Sequence, residues 1–410
     1  MSESPAAPFP AELLRSLARE HGTPLFVYDA ELVRARTREL RALFDVVRYA
    51  QKANSSRALL ALVRSQGCAV DAVSAGEVER ALAAGFAPDD VLFTADLFDR
   101  AALAMLRRRR VRVNLGSPDM IEQYAELGAG REVVLRVNPG FGAGHSRRVT
   151  TGGAGSKHGI WHAELPSAVA RARAAGLEVV GLHVHIGSGA DVERLCEAAD
   201  AARGLAACIG PSLAVISAGG GIPIPYRPGE ARPDLARLAR AWRAAEAALE
   251  VELDRPLELE VEPGRYLVAE AGVLLTEVRA TKRSGEVDFV LVDAGFHNLV
   301  RPALYGAFHA ISAVGCDAAQ ACFPQVVAGP LCESADVFTQ DEHGRPEPRA
   351  LPRLAPGDLL CVHTAGAYGA AMASNYNSQP FATEVLVDGG AARLVRRRQA
   401  LGDLSRDEQT

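Results

Sequence analysis

A single lysine, Lys52, follows the apolar, β-prone run VVRYA (46–50) and precedes the small polar residues NSS (54–56). A lysine at the end of a strand is often an ordinary solvated side chain. An amine held in a pocket can instead form a Schiff base, because its nitrogen lone pair attacks the carbon of an aldehyde or ketone. The residues that the fold brings near Lys52 decide between these two interpretations.

Other residues with binding or catalytic chemistry also end, or lie within, short apolar runs. None is informative alone, since a strand-end glycine is usually a turn residue and a lone histidine is usually a core residue with satisfied hydrogen bonds. Their common position at the ends of runs favours a shared site. These residues are Asp71, Arg136, His183, His185, Ser188, Gly219, Gly220, Gly221, Glu262, Gly264 and Arg265.

Eight β-prone runs alternate with segments rich in Ala, Leu and Arg, which is typical of parallel strands joined by right-handed helical crossovers. Eight such units in about 220 residues favour a closed (β/α)8 barrel over an open sheet. In barrels of this kind, functional side chains gather at the carboxyl ends of the strands. The runs are 46–53, 69–74, 91–96, 111–117, 132–139, 179–187, 213–221 and 257–265.

Beyond the barrel the pattern changes to strands with few long helices between them, as in DFVLVDAG (288–295). The sequence therefore predicts an α/β barrel, (β/α)8, followed by a C-terminal β-rich domain. We expect the barrel at residues 31–268 and the β domain at 269–410. An N-terminal segment, residues 1–30, contains the strand PLFVYD (24–29), which we expect to pair with the β domain.

The residues at the predicted barrel mouth match the chemical groups of one cofactor. Glycines 219–221 allow backbone N–H groups to approach a phosphate, and Arg265 adds positive charge. Lys52 can bond an aldehyde, Glu262 can pair with a protonated pyridine nitrogen, and an imidazole can stack on a flat ring. A phosphate, an aldehyde and a pyridinium ring together describe pyridoxal 5'-phosphate.

Other ligands fit the sequence less well. GFGAGH (140–145) lacks the spacing of a dinucleotide-binding glycine motif, and GGAGSKH (152–158) lacks the Gly-Lys pair of a nucleotide-binding phosphate loop. A metal ion on His183 and His185 is disfavoured because alternate residues of a strand point to opposite faces, so that only one of the two should face the barrel mouth. We therefore predict no metal site.

Composition argues against several classes of function. The net charge is −5, and the run RRRR (107–110) fits a helix end, so nucleic-acid binding is not expected. The seven cysteines contain no CxxC pair, which argues against a disulfide framework or a structural zinc site. Without a secretory signal or a membrane-length apolar run, the sequence predicts a soluble, cytoplasmic protein with no membrane partner.

Ten ordered motifs resemble those of the fold-type III pyridoxal-phosphate-dependent amino-acid decarboxylases, which share the barrel-plus-β-domain plan of alanine racemase. The resemblance covers nearly the whole chain. It is greatest to members acting on diaminopimelate, with features of the enteric bacterial subgroup. The motifs are YAQKANSS, FTADLFD, RVNPGFGAGHS, TGGAGSKHGIW, GLHVHIGSG, SAGGGIPIPY, EPGRYLVAEAGVL, VDAGFHNLVRPALYG, VAGPLCESADVF and GAYGAAMASNYNSQP.

The resemblance implies a role for each matching residue. Lys52 would bond the cofactor's aldehyde, His185 would stack on the ring, and Glu262 would pair with the pyridine nitrogen. Cys332 would be the acid that protonates the substrate's α-carbon, and Glu333 would receive the distal amine of the substrate. Further contacts to the cofactor would come from Asp71, Arg136, Ser188, Gly219, Gly220, Gly221, Gly264, Arg265 and Tyr368. The substrate contacts would be Arg265, Arg301, Tyr305, Glu333 and Tyr368.

The resemblance thus implies decarboxylation of meso-2,6-diaminopimelate to L-lysine and carbon dioxide, the final step of lysine biosynthesis. It also implies a homodimer whose CES loop (332–334) reaches the neighbouring subunit's site. A same-fold decarboxylase acting on a siderophore or antibiotic precursor remains the alternative, because such substrates can also carry carboxylates. A non-catalytic relative would be expected to lack Lys52 or Cys332. His158 and His297 depart from residues common in the family, and the sequence assigns them no role.

Overall fold

The structure is a computed structural model, and it describes residues 9–144, 150–316 and 320–409. The contacts divide the chain into two compact units. The barrel unit comprises Arg34–Ile224 and Arg232–Leu267. The β unit comprises the residues up to Val33, the segment Pro225–Ala231 and the residues from Val268 onward.

The described part of the chain forms eleven α-helices and eighteen strands. The helices are α1 (Ala11–His21), α2 (Ala30–Arg41), α3 (Arg57–Ser65), α4 (Ala75–Ala83), α5 (Arg100–Arg108), α6 (Asp119–Leu127), α7 (Leu165–Ala174), α8 (Val192–Ala206), α9 (Leu235–Leu253), α10 (Arg265–Val268) and α11 (Arg301–Tyr305). The strands are β1 (Leu25–Asp29), β2 (Val46–Ala50), β3 (Ala69–Ala72), β4 (Val91–Ala95), β5 (Arg112–Leu115), β6 (Glu132–Asn138), β7 (Ile160–Trp161), β8 (Glu178–Val184), β9 (Val215–Ser217), β10 (Glu258–Val261), β11 (Gly272–Ser284), β12 (Val287–Val292), β13 (Ile311–Ala313), β14 (Cys322–Ala328), β15 (Arg349–Pro352), β16 (Leu359–Val362), β17 (Thr383–Asp388) and β18 (Ala391–Arg396).

Eight parallel strands of the barrel unit close into a ring. Their order is β2, β3, β4, β5, β6, β8, β9 and β10, and the last strand pairs again with the first. The two-residue strand β7 pairs with β6 outside this ring. Each of the eight β-prone runs contributes one barrel strand, so the predicted (β/α)8 barrel is confirmed.

Local sequence signals explain these elements. The barrel strands are nearly continuous apolar runs, such as VLFTA in β4, because a parallel sheet is buried on both faces. Several helices begin at a capping side chain. Ser74 accepts the N–H of Glu77 at 3.2 Å before α4, and Asp99 accepts the N–H of Ala102 at 2.6 Å before α5. These caps fix where the strand-to-helix loops of the barrel mouth end.

The β unit is built around a mixed sheet, ordered β15, β14, β12, β11, β1, β17 and β18, with β16 bridging β11 and β13. Strand β1 lies between β11, to which it is antiparallel, and β17, to which it is parallel. Leu25 and Val27 of β1 are fully buried in the apolar core, with Leu14 and Leu17 of α1. The early strand is therefore a central member of a sheet whose other strands come from the second half of the chain.

None of the helices within the described ranges combines the length and apolar character needed to cross a membrane.

Candidate active site

Lys52 lies in the short 3-10 turn Gln51–Ala53, directly after β2 at the carboxyl end of the strand. Three hydrogen bonds hold this turn. The Tyr49 hydroxyl donates to the carbonyl of Asn54 at 2.8 Å, the Gln51 amide donates to the carbonyl of Glu77 at 3.1 Å, and Asn54 accepts the N–H of Ser56. The Lys52 side chain is exposed.

A buried pair, Glu262 and His183, forms the charged centre of the barrel mouth. Glu262 Oε2 lies 2.8 Å from His183 Nε2, and Ser217 donates to Glu262 Oε1 at 3.4 Å. Burial by itself would raise the pKa of Glu262. The adjacent His183, followed by the positive charges of Arg48 and Lys52, lowers that pKa by more, so the carboxyl stays ionised.

His183 and His185 both reach the site, which corrects the prediction that only one of them faces the mouth. Strand β8 ends at Val184, so the alternation of strand side chains stops before His185. His185 Nδ1 accepts the N–H of Gly220 at 3.1 Å, whereas His183 bonds to Glu262. Burial, followed by the charges of Arg136 and Lys52, lowers the pKa of His185 well below the ordinary value, so its imidazole is neutral.

The glycine triplet after β9 is packed against backbone that leaves no room for side chains. A Cβ on any of the three would collide with a backbone carbonyl oxygen, that of Val184, Glu262 or Gly187 in turn. Gly219 and Gly221 also have φ values of 59° and 97°, which favour glycine. Gly264 is equally confined, since a Cβ there would lie 3.0 Å from the carbonyl oxygen of Ala50.

Ser188 and Arg265 lie together near the glycine-rich loops, with Arg265 Nη2 donating to Ser188 Oγ at 3.0 Å. Arg265 is 7% exposed, and its charge is therefore poorly screened by water. A hydroxyl, a guanidinium and glycine-rich backbone make a set of donors suited to a phosphate dianion.

Two further predicted residues, Asp71 and Arg136, are buried in the same unit at the ends of β3 and β6. Burial, followed by the charge of Glu262, raises the pKa of Asp71. Asp71 Oδ1 is buried and has no hydrogen-bond partner within the described residues. Arg136 Nη1 lies 3.9 Å from Asp96 Oδ2.

His158, which the sequence left without a role, bonds to the same carboxylate. Its Nδ1 lies 2.5 Å from Asp96 Oδ2, and Asp96 Oδ1 accepts the N–H of Gly159 at 3.0 Å. Asp96 thus connects Arg136 to the loop that contains His158. The strand-end acid in FTAD (93–96) was the sequence signal for this contact.

In the β unit, Arg301 is almost fully buried at the start of α11, with 2% of its surface exposed. Its Nη1 lies 2.8 Å from His309 Nε2, and its guanidinium lies 4.8 Å from the centre of the Tyr226 ring. Tyr305, at the end of the same helix, is partly exposed.

Cys332 and Glu333 lie on an exposed loop of the β unit. Asn377 Oδ1 accepts the backbone N–H of Cys332 at 3.2 Å, and the Cys332 thiol lies 3.4 Å from the same oxygen. The Tyr376 hydroxyl donates to Glu333. Asp336 anchors the loop from beneath, because it accepts the N–H groups of Phe296 and Leu331 at 2.6 and 2.8 Å.

Tyr368 lies on another loop of the β unit, partly exposed, with a φ of 58°. A positive φ is uncommon for a residue other than glycine and is frequent at functional sites. His297, the other residue without an assigned role, is buried in this unit, and burial lowers its pKa to about 4.

The predicted residues therefore form three groups. The barrel unit gathers the residues predicted to hold the cofactor, except Tyr368 of the β unit, and it adds Asp96, which the sequence-based prediction did not include. The β unit contains one group around Arg301 and another around Cys332. No group of three or more His, Cys, Asp and Glu side chains in the described ranges is arranged to hold a metal ion.

The barrel-unit residues fit pyridoxal phosphate chemically. The buried Glu262 carboxylate suits a pyridine nitrogen, the neutral His185 ring suits a flat aromatic face, and the confined glycines suit a phosphate. The unpartnered Asp71 Oδ1 offers a further acceptor. Lys52, at the exposed end of β2, provides the amine for the aldehyde.

Comparisons with known proteins give a consistent result. The family model for the pyridoxal-binding domain of pyridoxal-dependent decarboxylases matches residues 30–269. The diaminopimelate decarboxylase of Escherichia coli (strain K12) is 50% identical over 402 residues, covering 96% of both chains. A crystal structure of diaminopimelate decarboxylase has a TM-score of 0.93 and 49% identity over 97% of this chain and 96% of the other. That of Helicobacter pylori diaminopimelate decarboxylase complexed with L-lysine has a TM-score of 0.85 and 31% identity, covering 96% and 98% of the two chains.

Proposed function

We propose that this chain, which belongs to the family of pyridoxal-dependent decarboxylases, converts meso-2,6-diaminopimelate to L-lysine and carbon dioxide. It is a pyridoxal-phosphate-dependent amino-acid decarboxylase with the fold of its family. The reaction that we propose is the final step of lysine biosynthesis, as in the relatives named diaminopimelate decarboxylase. The observation that carries the proposal is the ionised Glu262, buried against His183 at the mouth of the barrel.

Bound pyridoxal phosphate supplies an electron sink for the electron pair left when the carbon–carboxylate bond breaks. In our proposal, Glu262 keeps a proton on the pyridine nitrogen, because a carboxylate with a lowered pKa favours the charged pyridinium form. His185 packs against the ring as a neutral imidazole. Ser188, Arg265 and the N–H groups of Gly221 and Gly264 would bind the phosphate. Gly219 and Gly220 would line it, since their own N–H groups donate to Ser217 Oγ and His185 Nδ1.

The amine of Lys52 would hold the cofactor covalently through its aldehyde. Asp71 and Arg136 would complete the cofactor contacts. Asp96, which bonds to His158, would orient Arg136, whose Nη1 lies 3.9 Å from Asp96 Oδ2. Tyr368 is proposed to contact both cofactor and substrate.

The distal half of the substrate carries a second ammonium and a second carboxylate. We assign the carboxylate to Arg301, with Tyr305 and Arg265 as further contacts, because a guanidinium can donate two parallel hydrogen bonds to a carboxylate. Glu333 receives the distal ammonium. The burial of Arg301 supports this assignment, since a guanidinium that is poorly screened by water binds a carboxylate more strongly.

Cys332 is the proposed proton donor to the α-carbon after carbon dioxide leaves. Replacing Cys332 with Ala should leave the cofactor's bound absorbance unchanged and remove most decarboxylation, while the control Cys322→Ala, an exposed cysteine of the same unit, keeps full activity. Normal turnover by Cys332→Ala would remove Cys332 from the mechanism.

We also propose that the protein is a homodimer with shared active sites. Cys332 and Glu333 are exposed in the single chain, yet a proton donor to a carbanion works best where water is excluded. A second subunit covering this loop would exclude water and bring the thiol to a cofactor.

Mixing two inactive variants tests this arrangement. Lys52→Ala and Cys332→Ala subunits, mixed and reassociated, should regain about a quarter of wild-type activity, because half the dimers are hybrids and each hybrid has one intact site. If both residues of a site come from one subunit, the mixture stays inactive.

The function itself is tested by product identity. The purified protein, loaded with pyridoxal phosphate and given meso-2,6-diaminopimelate, should release one carbon dioxide for each L-lysine formed. The domain boundaries at residues 30 and 268, and a cytoplasmic location, stay predictions. Limited proteolysis would test the first and cell fractionation the second.

A further inference from the structure

We propose that Asn377 is a positioning residue whose side-chain oxygen holds the Cys332 thiol as an oriented proton donor. This inference rests on the proposed function of Cys332, the protonation of the substrate's α-carbon. It concerns a residue to which neither the sequence motifs nor the mechanism above assigned a role.

The chemistry of the contact determines which atom of the Asn377 amide faces Cys332. The backbone N–H of Cys332 donates to Asn377 Oδ1 at 3.2 Å, and the thiol sulfur lies 3.4 Å from the same oxygen. A backbone N–H can only donate a hydrogen bond, so the amide atom that faces it must be the oxygen and not the nitrogen. The orientation of the Asn377 amide is therefore fixed by the backbone of Cys332.

The same oxygen determines the role of the sulfur. An amide oxygen accepts hydrogen bonds and cannot donate one, so the thiol that faces it must supply the proton. A thiolate in this position would lie against an oxygen that carries partial negative charge. The contact therefore holds Cys332 with its proton on the sulfur and its S–H bond directed at Asn377, which is the form that a proton donor needs.

The backbone conformation of Asn377 suits this contact. Asn377 has φ and ψ angles of 51° and 30°, and the next residue, Ser378, has a φ of 55°. Asparagine is one of the few residues other than glycine that adopt the left-handed region readily. A residue in this region with a side chain has a conformational cost, and such residues are frequent at functional sites.

The segment that contains Asn377 is anchored on both sides. The N–H of Ser374 donates to the carbonyl of His297 at 2.9 Å, and the side-chain amide of Asn375 donates to Gln399 Oε1 at 2.7 Å. Asn377 therefore extends from a turn whose position is set by other parts of the β unit.

The preceding residue, Tyr376, contacts the other side chain of the same loop that the proposed mechanism uses. Its hydroxyl donates to Glu333, and its ring centre lies 5.3 Å from that of Phe296. Two consecutive residues of one segment thus hold the two consecutive residues that are proposed to donate the proton and to receive the distal ammonium.

Stability gives little reason for these contacts. The four residues that make them are all exposed in the single chain, namely Cys332, Glu333, Tyr376 and Asn377. Exposed hydrogen bonds contribute little to folding because water competes for the same groups, and a thiol is a weak donor. A contact that adds little to stability and yet fixes one proton is suited to the reaction that uses this proton.

Two substitutions at position 377 test the contact. Asn377→Gly removes the acceptor at a φ that glycine adopts without strain, whereas Asn377→Asp keeps an oxygen at the same position. We expect kcat for meso-2,6-diaminopimelate to fall about tenfold in the Gly variant and to stay within about threefold of wild type in the Asp variant. KM should change by less than about threefold in both, since Asn377 is not proposed to bind the substrate.

The infrared S–H stretching band reports the contact without turnover. The band of Cys332 is isolated as the difference between each protein and the same protein with Cys332→Ala. It should lie at lower frequency in the wild type and in Asn377→Asp than in Asn377→Gly, because a hydrogen bond weakens the S–H bond. Tyr376→Phe is the matched control, since it removes the contact to Glu333 and should leave the band unchanged.

The products of turnover supply a third readout. The electron pair left by carbon dioxide can take a proton at the substrate's α-carbon, which gives L-lysine, or at the former aldehyde carbon of the cofactor. The second course converts pyridoxal phosphate and meso-2,6-diaminopimelate into pyridoxamine phosphate, 2-amino-6-oxohexanoate and carbon dioxide. A misplaced thiol should raise the share of this course at least about fivefold in Asn377→Gly and leave it unchanged in Asn377→Asp.

Cys332→Ala separates this inference from the function on which it rests. If Cys332→Ala forms lysine at the normal rate, the assignment of Cys332 is wrong. If Cys332→Ala loses turnover while Asn377→Gly matches wild type, or if Asn377→Asp is as poor as Asn377→Gly, the positioning role of Asn377 is overturned. It is also overturned if Tyr376→Phe shifts the S–H band as far as Asn377→Gly does, because the loop as a whole would then orient the thiol.

Discussion

The two units of this protein each bury a charged side chain, one an anion and the other a cation. In the barrel unit, the anion Glu262 bonds to His183, and the nearby charges of Arg48 and Lys52 lower its pKa. In the β unit, the cation Arg301 contacts the imidazole of His309 and the ring of Tyr226. The anion must stay ionised in a low-dielectric site to pair with the cofactor, whereas the cation is proposed to bind a carboxylate of the substrate.

The largest expected effect is on the barrel side, at the residue proposed to bond the cofactor. Lys52→Ala should lower kcat by about 10^4-fold or more, because no other amine replaces the covalent anchor. The bound cofactor should also lose the visible absorbance of its lysine adduct. Lys52→Arg is a suitable control, since it keeps the charge without the nucleophile and should be equally inactive. A variant at position 52 that kept both absorbance and turnover would contradict the assignment of Lys52.

The second expected effect tests whether the side chain of Glu262 must carry its negative charge. Glu262→Gln keeps the size of the side chain and removes the charge, so the pyridine nitrogen loses the group that keeps it protonated. We expect kcat to fall about 10^3-fold while KM changes much less. Steady-state kinetics with spectral titration of the cofactor would measure both. A kcat within tenfold of wild type would show that the charge of Glu262 is dispensable.

A third, smaller effect concerns the exposed loop of the β unit. Asp336 accepts the N–H groups of Phe296 and Leu331, and a Cβ on Gly295 would lie 2.7 Å from its Oδ1. Asp336→Ala removes the acceptor of the Leu331 N–H, just before Cys332, and of the Phe296 N–H. We expect kcat to fall about tenfold with unchanged cofactor absorbance.

Asp341 provides the matched control for Asp336. It is a partly exposed carboxylate that accepts the N–H groups of His343 and Arg345, outside the Cys332 loop. Asp341→Ala should keep kcat within about twofold of wild type. Equal losses in the two variants would mean that the loop is not held specifically by Asp336.

The remaining expected effect is on stability at low pH and not on turnover. Burial lowers the pKa of His363 to about 4, whereas a histidine in the unfolded chain titrates near 6.5. The unfolded state therefore takes up a proton as the pH falls below about 6.5, while the native imidazole stays neutral to about pH 4. The contribution is fully present above pH 6.5, and about 3 kcal/mol is lost as the pH falls to 4.

His363→Gln removes this titration and keeps a partner for Ser312, whose hydroxyl lies 2.7 Å from His363 Nε2. Its free energy of unfolding should fall less steeply with pH than that of the wild type between pH 6.5 and 4. Denaturant unfolding at a series of pH values measures the difference. Parallel curves for the two proteins would rule out His363 as a source of acid sensitivity.

Much of the fold followed from sequence periodicity. All eight barrel runs became strands because parallel strands buried on both faces give unbroken apolar runs bounded by turns. The position of Lys52 after β2 also followed from the strand count. The three residues after the strand, however, form a turn that leaves the amine exposed, and no sequence signal indicates the direction of a side chain in such a turn.

The contacts that the sequence missed depend on distant parts of the chain. The partners His183 and Glu262 are 79 residues apart, and the bond depends on the register of three strands, in which His183 aligns with Ser217 and Ser217 with Glu260. His309 lies only eight residues from Arg301, but its other ring nitrogen contacts the carbonyl of His363, which follows β16. Residue types can suggest chemistry, whereas tautomers and orientations depend on tertiary contacts.

The measurement that tests the central claim most directly is a comparison of substrates. The purified protein, loaded with pyridoxal phosphate, is given meso-2,6-diaminopimelate, L-lysine, L-ornithine and L-arginine separately, and the initial rate of carbon dioxide release is recorded. Because only the first has a second carboxylate for Arg301, we predict a kcat/KM at least about 100-fold higher for it than for the others. A comparable rate with lysine, ornithine or arginine, or no release from meso-2,6-diaminopimelate, would contradict the proposed function.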